Sequence, residues 1–151
     1  MILEETNHLR VPPEEVVAFL EALDERYRDW HPDHVSFSWL DGAKREHFFF
    51  EERIGRWMLR MSMQLTRSSD GRRAICRPMS KAMRLVFPWM SFTAEPEDGG
   101  CHYIHRIKLR LGPLRPLIER TFLRPLRQHM REETANLGRL LPLNSVAKLS
   151  H

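Results

Sequence analysis

The chain of 151 residues is long enough for one domain with a substantial hydrophobic core. Hydrophobic residues make up 42% of it and charged residues 29%, a balance typical of a soluble globular protein and not of a disordered one. No apolar run is long enough to span a bilayer, no signal-peptide pattern is present, and Cys76 and Cys101 cannot build a disulfide framework. We therefore expect a single domain over residues 1–151 in a reducing cytoplasm, with a flexible tail from about residue 142.

The first predicted helix opens at Pro12-Pro13, after a short strand that begins near Ile2 and ends within residues 7–11. Proline suits the first turn of a helix. The apolar face that follows consists of Val16, Phe19, Leu20, Leu23 and Tyr27. The helix must end near Trp30, because Pro32 disfavours helical geometry in the residue before it.

The middle of the chain alternates between apolar and polar residues, which predicts antiparallel strands. In residues 34–40 one face carries Val35, Phe37 and Trp39, and the other carries His34, Ser36 and Ser38. Further strands are predicted at 47–54, 56–66, 72–77, 90–95 and 101–111, with a loop over the sheet at 78–89. On the strand 56–66, the residues expected to line a cavity are Trp57, Leu59 and Met61 or their strand neighbours.

Residues 116–141 are predicted to form one long helix with a kink at Pro125, which cannot donate a backbone hydrogen bond. The helix face expected to pack on the core follows spacings of three and four: Ile118, Phe122, Leu126, His129, Glu133, Leu137 and Leu140. A strand, a helix, about six consecutive antiparallel strands and a closing helix make an α+β fold. We expect a curved antiparallel sheet of about seven strands wrapped around the last helix, with a cavity between them.

The net charge of +4 comes largely from arginine, and much of it lies on this last helix, at Arg115, Arg120, Arg124, Arg127, Arg131 and Arg139. A basic helix can bind nucleic acid or anionic lipid. Here Glu119 and Glu132 interrupt the basic residues, and no nucleic-acid motif accompanies them. We expect a solvated outer face and no nucleic-acid partner.

His129 and Glu133 are the most informative pair, because they lie one turn apart on the apolar stripe of the last helix. An unpaired buried charge is very costly, so the two side chains must either satisfy each other or bind something inside the fold. A buried His–Glu hydrogen bond and a metal site both fit this spacing, and the pair alone does not decide between them.

Two segments of the predicted sheet offer further metal ligands. One contains His31, Asp33 and His34, and the other contains Glu51 and Glu52. Glu52 shares a strand face with Phe48, Phe50 and Ile54, whereas Glu51 lies on the opposite face, so Glu52 is the better candidate unless a bulge shifts the register. Two imidazoles and two carboxylates suit zinc, with manganese or iron as alternatives. In the last strand His102 and His105 lie on opposite faces, so at most one of them faces the cavity.

The order of elements resembles the START-like helix-grip superfamily, also labelled polyketide cyclase/dehydrase or SRPBCC, over nearly the whole chain. Residues 26–34 (RYRDWHPDH) and the helical pair His129 and Glu133 are similar to the signature of the zinc-dependent diacetylphloroglucinol and phloretin hydrolases. Those enzymes cleave a carbon–carbon bond between an acyl group and a polyphenol ring, using a zinc held by two His and two Glu. The resemblance implies that the metal ligands here are His34, Glu52, His129 and Glu133, and that Tyr27 is a candidate to bind substrate.

Two departures limit what the resemblance carries over. The asparagine shortly after the first ligand is not evident, since Ser36 and Phe37 stand there, and the chain is much shorter than those hydrolases. The leading hypothesis is a zinc-dependent hydrolase that cleaves a carbon–carbon bond of an acylated aromatic or polyketide-like compound, with Tyr27, His31 and His105 as candidate catalytic residues. The alternative is a non-catalytic carrier of a hydrophobic small molecule or lipid, and a third hypothesis is an interaction module that uses the basic helix.

Overall fold

The computed structural model of the protein describes residues 1–149, with side chains as far as Leu141. Within this range the strands are β1 (Ile2–Leu9), β2 (His34–Trp39), β3 (His47–Ile54), β4 (Trp57–Arg67), β5 (Arg73–Pro78), β6 (Trp89–Glu97) and β7 (Gly100–Lys108). The helices are α1 (Pro13–Glu21), α2 (Leu23–Trp30), α3 (Lys81–Val86), α4 (Arg115–Ile118) and α5 (Arg124–Leu149). The last helix continues to Leu149, beyond its predicted end at residue 141. Of the tail predicted to be flexible from about residue 142, only residues 150 and 151 lie outside the described residues.

The seven strands form one antiparallel sheet in the order β1-β7-β6-β5-β4-β3-β2. The long helix α5 packs against one face of this sheet, and a single core joins the two, with Leu126, Met130 and Leu137 from the helix and Met61, Met63 and Tyr103 from the sheet. A curled antiparallel sheet that wraps a long C-terminal helix is the helix-grip arrangement. The predicted α+β fold class is therefore confirmed. Among the described residues, no helix combines the length and the apolar character needed to cross a membrane.

The first predicted helix is two helices, because the chain bends at Ala22, whose φ of −99° and ψ of 22° lie outside helical geometry. The second helix, α2, ends at Trp30 as predicted, since His31 before Pro32 is extended, with a φ of −153°. Because of this bend, α2 packs against β2 along an axis different from that of α1, and its residues Tyr27 and Trp30 are buried. Both residues thereby reach the candidate site described below.

The prediction of a loop at 78–89 is wrong, because residues Lys81–Val86 form the short helix α3. Ser80 begins this helix: its hydroxyl oxygen accepts a hydrogen bond from the backbone N–H of Met83 at 3.3 Å. The flanking prolines restrict the backbone only at the ends of the segment. They leave room for one and a half helical turns between them.

The last predicted helix is regular only from Arg124 onward. It is preceded by a 3₁₀ turn (Gly112–Leu114), the short helix α4 and a π turn (Glu119–Leu123). Pro125 follows the π turn directly and has no N–H to donate to the carbonyl oxygen of Thr121, so the regular hydrogen-bond pattern fails here. Gly55 in the β3–β4 turn packs into this irregular region, at a φ of +59°, and a Cβ atom there would lie 3.0 Å from Pro125 Cγ.

The π turn changes which residues of the last helical region reach the core. Leu126, His129, Glu133 and Leu137 are buried, as the spacing predicted. Ile118, Phe122 and Leu140, which were also predicted to be buried, are only partly so, and their places in the core are taken by Leu123, Met130 and Leu141. A π turn holds an extra residue, so the buried face before Pro125 shifts from Phe122 to Leu123. The burial of Met130 and Leu141 belongs to the regular helix after it.

Candidate metal site and cavity

A β-bulge places His34 on the concave face of the sheet. The regular alternation predicted for residues 34–40 puts His34 on the face opposite Phe37. In the structure the register shifts between His34 and Ser36, so that His34 pairs with Glu52 while Ser36 pairs with Glu51. The extra residue is Val35, and the predicted alternation is wrong at this point because two residues of β2 stand opposite one of β3.

Strand β3 is regular, and its alternation separates the two adjacent glutamates. Glu52 lies on the concave face and lines the cavity between sheet and helix. Glu51 points to the outer face, where its carboxylate accepts hydrogen bonds from Arg60 at 2.7 Å and from Ser36 at 2.8 Å. The hydrogen bonds from Arg60 and Ser36 lower the pKa of Glu51. Glu51 is therefore separated from the interior by the sheet itself.

Four side chains from three elements converge where α5 crosses β2 and β3: His34, Glu52, His129 and Glu133. One ligand atom from each lies within 4.8 Å of the others. Glu133 Oε1 is 2.8 Å from His34 Nε2 and 2.7 Å from His129 Nε2. Glu52 Oε2 is more distant, at 3.5 Å from the first nitrogen and 3.7 Å from the second. Two imidazole nitrogens and two carboxylates thus face one small buried volume.

Helix α2 supports this cluster through its backbone and its aromatic rings. His34 Nδ1 donates to the carbonyl oxygen of Tyr27 at 2.7 Å, which turns Nε2 toward the carboxylates. The Tyr27 ring stacks on His34 at 3.9 Å between centroids, and its hydroxyl donates to Glu52 Oε2 at 2.6 Å. Trp30 Nε1 donates to the backbone carbonyl of Glu133 at 2.9 Å. These contacts fix both the tautomer of His34 and the position of the helix.

Burial and neighbouring charges shift the pKa values of the helical pair in opposite directions. Burial lowers the pKa of His129, but the carboxylates of Glu133 and Glu52 outweigh it and raise that pKa to about 10. Burial raises the pKa of Glu133, but His129 and His34 outweigh it and hold that pKa well below its usual value. Neither ring nitrogen of His129 is aligned for a hydrogen bond, despite the short approach to Glu133.

His31 lies beside the cluster but does not line the cavity. Its ring centroid is 4.2 Å from that of His129. Both of its nitrogens are engaged: Nε2 lies 2.5 Å from Glu132 Oε2, and Nδ1 accepts from the backbone N–H of Asp33 at 2.9 Å. His31, Asp33 and His129 also have atoms within 4.8 Å of one another. Because both nitrogens of His31 already have partners, His31 has no nitrogen left for a metal ion. Its ring instead packs against the ring of His129.

His105 projects from β7 into the cavity, and His102 lies on the other face of that strand. The side chain of His105 is buried, stacks on Phe92 at 4.5 Å between centroids, and has no hydrogen-bond partner at either nitrogen. Its Nδ1 lies 3.6 Å from Glu133 Oε2. Burial lowers the pKa of His105, so the ring is neutral near pH 7. A neutral imidazole with both nitrogens free can donate one hydrogen bond and accept another.

The cavity between α5 and the sheet ends at this cluster. Its walls are largely aromatic and aliphatic, with Phe37, Phe48, Phe50, Leu59, Met61, Phe92 and Met130 among them. The volume that the centres of water molecules can occupy in this cavity is about 70 Å³. Because one water molecule needs roughly 10–15 Å³ of such volume, the cavity has room for several of them. Of the strand residues predicted to line it, Leu59 and Met61 do so, whereas Trp57 does not and is 48% exposed. At the opposite limit Arg67 donates to Glu21 at 2.7 Å.

Sequence reasoning missed one polar residue near the cluster. Tyr103 lies two residues before His105 on the same face of β7, and its hydroxyl is fully buried without a hydrogen-bond partner. Burial, with a further contribution from the Glu133 carboxylate, raises the pKa of Tyr103. The shared strand parity of residues 103 and 105 could have indicated this residue, since one inward histidine implies an inward tyrosine.

Comparisons with known proteins bear on the fold. No protein-family model matches the chain, and no curated protein matches it. Among solved structures, TTHA0849 from Thermus thermophilus superposes with a TM-score of 0.75 at 12% identity, over 96% of this chain and 99% of that one. A START superfamily protein from Mycobacterium smegmatis gives a TM-score of 0.69 at 9% identity, over 94% and 97% of the two chains.

A third similar structure is the di-domain ARO/CYC BexL from the BE-7585A biosynthetic pathway. It has a TM-score of 0.69 at 11% identity, and the match covers 93% of this chain and 50% of that one. At such low identities these likenesses show the backbone arrangement and leave the chemistry to be argued from the site. The chain has the START-like helix-grip fold.

Proposed function

We propose that the protein is a metal-dependent hydrolase that binds zinc through His34, Glu52, His129 and Glu133 and cleaves a carbon–carbon bond of an acylated aromatic or polyketide-like compound. The observation that carries the proposal is the convergence of two imidazoles and two carboxylates, within 4.8 Å of one another, at the end of an apolar cavity. The motif resemblance in residues 26–34 and in the last helix supports the same assignment.

The donor set fits a zinc-type ion. Nitrogen and carboxylate oxygen are accepted zinc ligands, with manganese and iron as alternatives. Catalysis would require a further position on the ion, beyond the four protein ligands, for water or a substrate oxygen. Nε2 of His129 lies 2.7 Å from Glu133 Oε1, but its Nδ1 is buried without a hydrogen-bond partner. A buried nitrogen without a partner is costly. The hydrogen bond from His34 Nδ1 to Tyr27 is the support that metal-binding histidines generally have.

When bound, zinc supplies Lewis-acid polarisation of a carbonyl group and acidifies water. The residues of the chain supply the rest. Tyr27 holds its hydroxyl against Glu52 at 2.6 Å, at the edge of the cavity, where it can turn to a substrate oxygen. His105, neutral and unpartnered, can hold a hydroxyl group of the substrate or accept a proton at Nδ1 or Nε2. The aromatic walls bind an aryl ring and exclude bulk water.

The second candidate is a carrier that binds a hydrophobic small molecule or lipid without turnover. The apolar walls of the cavity favour this function as much as they favour a hydrolase. In a carrier, the His129 and Glu133 pair would serve the fold alone. The two candidates differ in what they require of Glu52, which lies too far from either ring to be needed for a structural hydrogen bond.

The adjacent glutamates provide a matched pair of variants. Zinc-loaded protein is incubated with a panel of acylphloroglucinols and related aryl ketones, and release of the carboxylic acid is followed. We expect turnover in the wild type and in Glu51→Gln, and its loss in Glu52→Gln and His129→Ala with folding intact. Tight binding of these compounds without turnover, unchanged in Glu52→Gln, would identify a carrier and reject the hydrolase.

A further inference from the structure

A patch of exposed apolar and basic side chains lies where the β3–β4 turn meets the start of the last helical region. Gly55 of this turn packs on Pro125, since a Cβ atom there would lie 3.0 Å from Pro125 Cγ and 3.2 Å from the carbonyl oxygen of Thr121. This contact brings the turn beside residues 121–125, which follow directly on the segment that carries Leu114, Leu117 and Arg120. We call the resulting surface the turn–helix patch; it consists of Arg56, Trp57, Leu114, Leu117, Arg120 and Arg124.

The apolar members of the turn–helix patch are unusually open to water. Leu117 is 75% exposed, Leu114 is 56% exposed and Trp57 is 48% exposed. Single exposed apolar side chains are common on protein surfaces, but several large ones in one region indicate a site that binds a membrane or another molecule. Trp57 shares its strand face with the buried Ile54, its cross-strand neighbour, so it points to the side of the sheet on which the helix lies.

The basic members of the patch form no direct ion pair within the described residues, so their charge is only partly compensated by the fold. Arg56, Arg120 and Arg124 are exposed, and none forms a salt bridge with any residue in the described part of the chain. The carboxylate of Glu119, within the same segment, is held by Arg127 at 2.6 Å, and the charge of Arg124 also contributes to lowering its pKa. Arg120 and Arg124 lie four residues apart, a spacing at which like charges on a helix repel. This arrangement does nothing for stability and favours an anionic partner.

We propose that the turn–helix patch docks the protein on an anionic membrane surface. Anionic lipid headgroups attract the arginines, while the boundary between headgroups and acyl chains accepts leucine and tryptophan side chains. A nucleic acid would engage the arginines through its phosphates but leave Leu114 and Leu117 in water. A protein partner would need a surface whose shape is complementary to the patch. Insertion into lipid requires no such complementarity, and side chains that project from a turn and a short helix are suited to it.

The test is co-sedimentation of the full chain with vesicles, at low and at physiological salt. Vesicles of equal parts phosphatidylcholine and phosphatidylserine are compared with vesicles of phosphatidylcholine alone. Removing one arginine near a charged membrane surface weakens binding about fivefold, so the double variant Arg120→Gln/Arg124→Gln should bind about twenty-five-fold more weakly. The matched control is Arg10→Gln/Arg77→Gln, which removes the same charge from exposed positions outside the patch.

The expected result is binding to the anionic vesicles only, retained in the control and lost in the patch variant. Leu117→Ser should weaken binding with no change in charge, and tryptophan emission should shift to shorter wavelength on vesicle addition in the wild type but not in Trp57→Phe. Absence of wild-type binding, or equal losses in the control and patch variants, would overturn the proposal. So would binding that Leu117→Ser leaves intact and a single-stranded oligonucleotide competes away, which would assign the patch to nucleic acid.

Discussion

Replacing Glu133 and Glu52 separately tests whether the buried cluster binds a metal or is only a structural ion pair. Glu133 lies 2.8 Å from His34 Nε2 and 2.7 Å from His129 Nε2, so it is the immediate counterion of both rings. Glu52 is 3.5 Å and 3.7 Å from the same atoms and is held instead by the Tyr27 hydroxyl. Glutamine at either position keeps the side-chain size and removes the charge.

Without metal, the two variants should differ strongly in stability. Glu133→Gln removes the closest charged partner of two buried rings, those of His34 and His129. Removal of one partner from a buried ion pair costs about 3–5 kcal/mol, which lowers the melting temperature by roughly 6–20 °C in a chain of this size. Glu52→Gln should cost about 1 kcal/mol, because the amide oxygen can still accept from Tyr27 and Glu133 remains in place.

With zinc, the two variants should behave alike. A metal at a hundred times its dissociation constant stabilises the native state by about 2.7 kcal/mol, equivalent to a rise of roughly 5–10 °C in melting temperature. Each variant lacks one of four proposed ligands and should lose most of this rise, whereas Glu51→Gln should keep it, since that carboxylate is bound to Arg60 outside the sheet. The assay is thermal unfolding after chelator treatment, with and without added zinc.

Two results would refute this reasoning. If the wild type shows no response to zinc or chelator while Glu133→Gln is strongly destabilised, the cluster is a structural pair and the metal assignment fails. If Glu52→Gln retains the full zinc response, Glu52 is not a ligand, and its position on the concave face of β3 has no bearing on metal binding.

Three further predictions concern the backbone, the thiols and the protons of the site. Gly55→Ala should destabilise the fold by about 1–3 kcal/mol and more than Gly42→Ala, because both glycines have a positive φ, of +59° and +62°, but only a Cβ at Gly55 would meet Pro125; equal melting temperatures would show that this contact is unimportant. Cys76 should resist a thiol reagent at pH 8 in the native protein, since burial raises its pKa to about 12, and rapid labelling without unfolding would contradict this. Zinc binding near neutral pH should release a proton, because the pKa of metal-free His129 is about 10 and its ring must be neutral to coordinate the ion. The affinity for zinc should therefore fall as the pH is lowered. Calorimetry in buffers of different ionisation enthalpy measures the release, and a binding heat that does not depend on the buffer would exclude it.

Regular periodicity made much of the site predictable. The spacing of four between His129 and Glu133 places both on one helix face, and the structure buries both. Strict alternation in β3 separates Glu52 from Glu51, and this strand pairs with β4 in one uninterrupted register. Where the backbone keeps a constant repeat, the direction of a side chain follows from its place in the sequence.

Irregular backbone accounts for the errors. The bulge at Val35 places His34 on the concave face, although alternation alone puts it on the opposite face from Phe37. A bulge leaves no signature in composition, because the extra residue is an ordinary valine that suits a strand. The π turn ahead of Pro125 likewise shifts the buried face by a residue, and proline indicates where such an irregularity falls but not which form it takes.

Contacts between distant parts of the chain could not be predicted from the sequence, for a different reason. His31 was predicted as a candidate to orient substrate, but its nitrogens are taken by Glu132 and by the backbone of Asp33. The first of these partners is 101 residues away. Helix periodicity does place Glu132 next to the buried stripe, but only the docking of α5 against the segment after α2 determines which side chain it meets.

The energetics of the cluster argue that it serves more than the fold. Its ionisable side chains occupy an interior otherwise built of leucine, methionine and aromatic residues, and each buried charge costs several kilocalories per mole before its partners compensate. A well-packed apolar set of the same volume would stabilise the helix–sheet contact at least as well. A purely structural pair needs one histidine and one carboxylate. This site brings two of each to one point, adds a tyrosine hydroxyl on Glu52, and leaves both nitrogens of His105 and Nδ1 of His129 without hydrogen bonds. Unsatisfied buried donors and acceptors at the end of a cavity are costly for the empty protein, and a ligand that occupies the space before them removes that cost.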